Sequence, residues 1–140
     1  MAASDTYIIK TVTFKGTAIT GLQDVQFGSE ADVVSHNSDG QVTVAAVFLD
    51  NLKGNCRVSS TNTGLASTAN FAMGATGSLV MTFQKRAAGK GAVAGQDKVL
   101  TAAAAFVIRN SGNGPHADRG SFDLEFECVD PAGVDPFAWT

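Results

Sequence analysis

The sequence predicts a mainly β fold, a β-sandwich or barrel of about seven to eight strands with one short flanking α-helix. Alternating apolar and polar residues recur in short segments, β-branched and aromatic residues are concentrated there, and Gly- or Asp-containing turns separate the segments. The 140 residues suit one domain with one hydrophobic core. We therefore expect a single domain over residues 1–140, with an N-terminal arm at 1–6 and an extended C-terminal tail at 130–140.

The first part of the chain predicts two strands and a hairpin turn. Tyr7–Phe14 alternates with a period of two and is closed by Gly16. Leu22–Gly28 alternates in the same way, and Ala31–His36 continues the extended pattern. Asn37–Gly40 predicts a tight turn, because Asp-Gly tolerates the positive φ angles that such a hairpin requires.

The returning segment Gln41–Leu49 is expected to be a central strand. Both of its faces become apolar near its end, which is typical of a strand covered on both sides. Asp50–Gly54 predicts another turn, and Asn55–Ser60 predicts a further short strand.

The helix is predicted between Asn62 and Gly74. Apolar residues fall at helical spacings in this segment, Thr63 can cap its start and Gly74 can cap its end. We expect the helix to close one side of the sandwich.

The second half of the chain predicts three more strands. Thr76–Arg86 alternates, and Asp97–Asn110 flanks its alanines with β-branched and aromatic residues, which favours a strand over a helix. Gly120–Val129 is the cleanest amphipathic strand. The connecting loops are Ser111–Arg119 and the Gly/Ala-rich Ala87–Gln96, which is expected to be mobile in the isolated protein.

The last of these strands carries an acidic face. The residues expected to face the core are Phe122, Leu124, Phe126 and Cys128. Asp123, Glu125 and Glu127 are expected to face outward. This face is either an ordinary solvated surface or the lining of a passage for something negatively charged, which like charges keep from adhering. The same alternatives hold for a second group of acids, Asp24, Glu30 and Asp32.

The composition indicates a folded protein with unusually little charge on its surface. Hydrophobic residues make up 44 % of the chain, which excludes disorder as the bulk state. Charged residues make up 16 %, compared with roughly 25 % in an average globular protein. The net charge of -3 argues against a protein that grips nucleic acid phosphates. A surface covered by Ala, Gly, Ser and Thr instead suggests assembly.

The N-terminal residues Met1–Asp5 lack the basic region and apolar stretch of a signal peptide. No apolar run reaches the roughly 18 residues of a membrane span. We therefore expect a cytosolic, unprocessed chain without membrane anchoring.

The sequence predicts no metal or cofactor site. Cys56 and Cys128 lack the spacing of a zinc or redox motif, so buried free thiols are expected. His36 and His116 lie in or next to loops without a third ligand at a suitable spacing, and we interpret them as solvated.

Catalytic motifs are also missing from the sequence. It contains no Gly-x-Ser-x-Gly elbow, no Ser-x-x-Lys with its partner motifs and no His-Glu-x-x-His. Gly89-Lys90-Gly91 is superficially similar to a phosphate-binding loop. That motif requires Gly where Gln84 stands, and Ser or Thr where Gly91 stands. We therefore predict a protein that is not an enzyme.

The tail after residue 129 ends with two aromatic residues, Phe137 and Trp139, and two of its residues are prolines that favour an extended backbone. Such a tail is expected to act as a docking element. It can dock on its own sandwich or on a neighbouring subunit, and the sequence leaves both open.

Four segments, in this order and spacing, resemble the tail tube proteins of tailed bacteriophages. They are the Ser38–Gly40 turn, the helical Gly64–Phe71, the strand Gly77–Phe83 and the final strand Phe122–Val129. The resemblance covers most of the chain and extends more distantly to tube proteins of contractile injection systems. It implies a small β-sandwich or barrel that forms rings, commonly of six subunits, which stack into a tube that guides DNA.

This resemblance, together with the residue patterns, suggests the contacts of the assembly. The candidates for contacts between subunits are Gly89, Lys90, Gly91, Val93, Phe137 and Trp139. The candidates for lumen-facing acids are Asp123, Glu125, Glu127 and Asp24. The expected partners are copies of the chain and other phage tail proteins, with DNA passing without sequence-specific binding. The expected location is the virion tail, assembled in the bacterial host cytoplasm.

Two other classes of protein stay open. A capsid decoration or tail-completion protein would share the small, charge-poor β fold but would bind a preformed lattice. A carbohydrate-binding sandwich would need exposed aromatic residues beside polar partners, and one Trp and one Tyr in the chain supply few of them.

Overall fold

The computed structural model describes residues 6–36, 40, 46–87, 91–114 and 120–140. Its strands are β1 (Thr6–Phe14), β2 (Thr17–Ala18), β3 (Leu22–His36), β4 (Ala46–Ser60), β5 (Thr76–Arg86), β6 (Lys98–Asn113), β7 (Ser121–Val129) and β8 (Phe137–Trp139). Two 3-10 helices, Thr63–Ser67 and Ala69–Phe71, connect β4 to β5. None of the described helices has the length and apolar character needed to span a membrane.

The eight strands form one antiparallel sheet, in which seven follow the order β2-β1-β5-β6-β7-β4-β3 and β8 pairs with β6 off this path. The long strand β6 organises it. β5 pairs with one side of β6, and the other side is shared by β7, over Ala104–Asn113, and β8, over Leu100–Ala102. The predicted mainly β fold of about seven to eight strands is confirmed.

The sheet curls onto itself and encloses one core. The rings of Phe14 in β1 and Phe126 in β7 lie 4.8 Å apart between centroids, although β5 and β6 separate these strands in the sheet. Cys56 Sγ in β4 likewise lies 3.8 Å from Met81 Sδ in β5. Phe71 from the second 3-10 helix closes one side of the core, 5.9 Å from Phe14. These contacts across the interior give the sheet a sandwich-like shape.

The clearest sequence patterns correspond to the observed strands. β5 has the predicted bounds, and β6 continues past the expected end at Asn110 to Asn113. β7 buries all four residues predicted to face the core: Phe122, Leu124, Phe126 and Cys128. Both predicted free thiols are confirmed as buried, and burial raises the pKa of each to about 12.

The predicted α-helix is wrong. Residues 63–71 form two short 3-10 helices instead, and Asn62 makes no side-chain capping bond to the first. The segment is too short to offset the cost of nucleating an α-helix, and Gly64 and its Thr, Ser and Asn residues are poor helix formers. Its position depends on Phe71, which is fully buried.

The predicted turn at Asp50–Gly54 is also wrong, because β4 runs straight through it. The turn-forming residues produce a β-bulge. Asn51 adopts a positive φ of 54°, and the register of β3 against β4 shifts between Glu30 and Asp32. The bulge absorbs the extra residue and lets the two strands continue together to His36 and Ala46.

The hairpin between β3 and β4 is confirmed by that pairing. Of its predicted turn, Asn37–Gly40, only Gly40 belongs to the described residues, and its φ of 73° suits a tight turn. Residues 1–5 of the arm expected at 1–6, residues 41–45 and His116 lie outside the described residues, and Thr6 begins β1.

Candidate assembly surfaces

The outer end of the β3–β4 hairpin is a two-stranded ribbon, defined here as residues 32–36 and 46–50. β7 pairs with β4 only from Gly54 to Ser60, so no described third strand supports the ribbon. Its large apolar side chains are exposed, with 64 % of Val33 and 57 % of Phe48 accessible to solvent. The expectation of a covered central strand here is wrong, because the sheet that would cover it ends at Gly54.

The ribbon has two apolar faces of different character. Residues directly opposite each other in a sheet share a face, and faces alternate along the strand. On one face the pair Val34↔Phe48 lies between the pair Asp32↔Asp50 and the pair His36↔Ala46, so the apolar centre has an acidic rim on the side toward the body of the sheet. On the other face Val33↔Leu49 lies next to Ser35↔Val47, with no charged residue among these four.

The sheet also has two open edges within the described residues. β3 pairs only with β4, so its outer edge is open along its length. β1 pairs with β2 only at Thr13 and Phe14, which leaves the edge before these residues open. Unpaired strand edges present backbone groups that can hydrogen-bond to another chain.

The outward face of β4, β7 and β6 carries a ladder of paired charges. Arg57 lies 3.3 Å from Asp123, Arg109 lies 3.9 Å from Glu125, and Lys53 lies 3.4 Å from Glu127. The structure thus brings the three predicted acids together on one face and gives each a basic partner. Such a face offers little net attraction or repulsion to a polyanion.

Hydrogen bonds reinforce the ladder. The Ser59 hydroxyl donates to Asp123 at 2.5 Å, and this bond together with the Arg57 guanidinium lowers the pKa of Asp123. Glu127 and, at 3.5 Å, Glu30 raise the pKa of the Lys53 ammonium. The charged forms of these groups are therefore favoured at neutral pH.

The second acidic group is spread along β3 and does not form one bare patch. Glu30 reaches Lys53 in the ladder, whereas Asp32 accepts a hydrogen bond from Asn51 Nδ2 at 2.8 Å on the ribbon. Asp24 accepts one from Gln26 Nε2 at 3.4 Å near the start of the strand. His36 is exposed at the end of β3.

The C-terminal tail docks on its own sandwich through an aromatic cluster. Phe27 of β3, Phe83 of β5, and Phe137 and Trp139 of β8 contact one another, with Phe83 and Trp139 centroids 5.3 Å apart and Phe27 and Phe83 centroids 5.6 Å apart. The cluster therefore ties the end of the chain to strands from opposite halves of the sheet. Half of Trp139 stays exposed, at 53 %.

Polar contacts fix the path of the tail. Ser29 Oγ donates to Asp135 Oδ1 at 2.7 Å, and the same carboxylate oxygen accepts from the Phe137 N–H at 3.0 Å. The Phe137 ring lies directly over Gly54, where an added Cβ would clash with the ring. Gly54 is thus required for this close approach.

Beside the cluster lies an open groove of about 880 Å³, lined mainly by Tyr7, Phe83, Lys98 and Trp139. Lys98 Nζ lies 4.9 Å from the centroid of the Tyr7 ring. The groove combines aromatic walls with a basic group, and the exposed face of Trp139 forms part of it.

Two predicted contact residues, Gly89 and Lys90, lie outside the described residues. The rest of that loop folds back along β5. Gly91 is exposed, and the half-buried Val93 donates its N–H to the Lys85 carbonyl at 3.0 Å.

Sequence reasoning missed the ribbon and the groove. The sequence did contain a signal for the ribbon, since apolar residues on both faces of a strand indicate burial. That pattern does not identify what covers the strand. The groove had none, because its walls come from β1, β5, β6 and β8, which are distant in the sequence.

No protein-family model matches the chain, and no curated protein matches it. Among solved structures, a chain in the virion of a native gene transfer agent (GTA) particle matches with a TM-score of 0.51 and 13 % identity, over 88 % of this chain and 87 % of that one. A chain from the tail of an empty GTA particle, refined helically with C6 symmetry, gives a TM-score of 0.49 and 12 % identity, over 88 % and 84 %. The first likeness establishes a shared fold.

Proposed function

We propose that this chain is a structural virion protein that assembles with copies of itself into stacked rings, forming a phage tail tube through which DNA is delivered. The rings are expected to hold six subunits, as the resemblance to tail tube proteins implies. The role is structural and not catalytic, and no cofactor takes part.

The ribbon carries this proposal. A two-stranded hairpin is marginally stable alone, and burying one Val, Leu or Phe side chain contributes about 1.5–3 kcal/mol. The ribbon leaves Val33, Phe48 and Leu49 more than half exposed. Apolar residues on both faces of a projecting element favour a protein whose folding is completed by neighbours.

The open edges of β3 and β1 favour the ring geometry. They lie at opposite ends of the strand order, so a strand edge of one copy can meet the other edge of the next. A contact between two different surfaces repeats from copy to copy and closes into a ring when the rotation allows it. The fold shared with a chain of a GTA virion agrees with such a role.

The charge ladder suits a lumen that DNA passes without adhering. In this proposal Asp123, Glu125 and Glu127 face the lumen, with Asp24 near one end of the same region. Their carboxylates hold Arg57, Arg109 and Lys53, which would otherwise be available to bind phosphate. Gly91, Val93 and the exposed side of Trp139, with Gly89, Lys90 and the anchoring Phe137, are proposed as contacts between rings and with other tail proteins.

The test is negative-stain electron microscopy of the purified chain over a range of concentrations, together with its mass in solution. Hollow tubes or six-membered rings are the expected result. A monodisperse monomer at every concentration would contradict self-assembly. That outcome would favour the alternative, a decoration or tail-completion protein that presents the same ribbon to a preformed lattice.

A further inference from the structure

The Phe48 face of the ribbon and the aromatic groove are both apolar, and they carry opposite charges. The ribbon face presents Val34 and Phe48 beside Asp32 and Asp50 on a projecting hairpin. The groove has aromatic walls and a basic group, so it offers an apolar surface and the opposite charge.

The basic character of the groove comes from neighbouring strands. Lys98 lies on its wall, and Lys85 reaches its lining residue Gln96, with Nζ 3.1 Å from Oε1. The lining residue Asp97 is the acidic side chain there, and Lys10 pairs with it at 3.3 Å. Lys10 offsets the charge of Asp97, so Lys98 supplies the basic group of the groove that suits the two aspartates of the ribbon.

Within one chain these surfaces do not satisfy each other. Phe48 is 57 % exposed and Trp139 is 53 % exposed, so each has apolar area left to bury. Among the described residues no other segment of the same chain covers either surface, and a second copy of the chain offers a matching occupant for each.

We propose that the groove of one copy receives the Phe48 face of the ribbon of a second copy. This inference rests on the self-assembly proposed above and names the contact that drives it. Phe48 packs against Trp139 and Tyr7, and Asp50 lies near Lys98. The contact joins two different surfaces, so each copy donates one ribbon and accepts one ribbon, and the contact can repeat from one copy to the next.

A mixing experiment on the full chain tests this contact. The ribbon variant is Phe48→Asp, and the groove variant combines Lys98→Glu with Trp139→Ala. At concentrations where the wild type assembles, each variant alone is expected to stay monomeric, with its assembly threshold raised at least tenfold. A 1:1 mixture is expected to form dimers and nothing larger, because only one ribbon and one groove remain intact in each pair.

Cysteine cross-linking gives a second readout that does not depend on the fold of the groove variant. Phe48→Cys mixed with Lys98→Cys is expected to give a cross-linked dimer on mild oxidation. Val33→Cys, on the opposite face of the same ribbon, is the matched control and is expected to give at least fivefold less. The native Cys56 and Cys128 add little background, because both are buried.

The outcomes separate this inference from the proposed function. A wild type that forms tubes while Phe48→Asp assembles at the same concentration overturns the ribbon contact and leaves the function standing. Equal cross-linking from Val33→Cys and Phe48→Cys overturns the choice of face. A mixture that stays monomeric overturns the groove as the acceptor. A wild type that never assembles overturns both proposals.

Discussion

The two halves of the β3–β4 hairpin differ in what surrounds them. Next to β7, the body half buries Val58 and Cys56 almost completely in the core. Beyond Gly54 the same two strands, with the same kinds of apolar residue, leave Phe48 and Leu49 more than half exposed. The body half is packed by its own chain, whereas in the proposed assembly the ribbon half is packed by another copy. An apolar strand pattern therefore reports that burial is needed, without saying which molecule provides it.

The largest expected difference in the free energy of unfolding is between a Leu→Ala substitution in a body strand and one in the ribbon. Leu124→Ala removes a fully buried side chain of β7, opposite Val58, and should lower the free energy of unfolding by about 2–5 kcal/mol. Leu49→Ala in the ribbon should change it by less than about 0.5 kcal/mol. Urea denaturation of the monomer measures both. Equal losses of free energy of unfolding in the two variants would mean that the ribbon is packed within the monomer, as the body strands are.

Gly54→Ala tests the boundary between the two halves of the hairpin. The new methyl group would press on the Phe137 ring and should cost about 1–3 kcal/mol while displacing β8. Gly28→Ala on the neighbouring strand is the control, because an added Cβ meets nothing within 4 Å there. Trp139 is the single tryptophan, so a red-shifted emission maximum would report the displaced tail. Unchanged stability and emission in Gly54→Ala would show that the tail does not dock over this glycine.

These effects also show what the sequence could reveal. β7 was predicted residue by residue because one face of the strand is apolar and is buried in the core of the same chain. The ribbon was misinterpreted because a strand covered within its own chain and an exposed apolar strand have the same sequence pattern. The bulge at Asn51 was taken for a turn because both use the same residue types and a positive φ. The three residues of β8 gave no strand signal, since their pairing with Leu100–Ala102 is a long-range contact.

The charge ladder lies on the body of the sheet, and its ion pairs should make the free energy of unfolding depend only weakly on pH. The pKa of Asp123 is lowered in the folded chain, so its contribution is present above the unfolded pKa of about 3.9 and is lost as the pH falls through the folded value. Because the pair is partly exposed, Asp123→Asn should narrow the stability difference between pH 7 and pH 2 by less than about 1 kcal/mol. Urea midpoints at the two pH values measure it. A wider difference in the variant would contradict the direction of the shift.

The smallest expected effect is on the affinity of the charge ladder for DNA. Asp123→Asn with Glu125→Gln releases Arg57 and Arg109 from their carboxylates. Each arginine that then contacts a phosphate should add about 0.9 to the salt dependence of binding to double-stranded DNA. Binding of a fluorescent duplex at low salt, compared with the wild type, measures this. Asp32→Asn with Asp50→Asn, on the ribbon, is the control, because it also removes two negative charges but lies outside the ladder. No gain in affinity would argue against the ladder as a surface that suppresses adhesion.

The central claim is that the ribbon is exposed in the monomer because it is buried in the assembly. Amide hydrogen exchange of residues 33–35 and 47–49, in the monomer and in assembled particles of the same chain, tests it most directly. The account predicts fast exchange in the monomer and at least a hundredfold slower exchange after assembly, with the amides of β7 protected in both. Assembled particles whose ribbon exchanges as fast as the monomer's would contradict it.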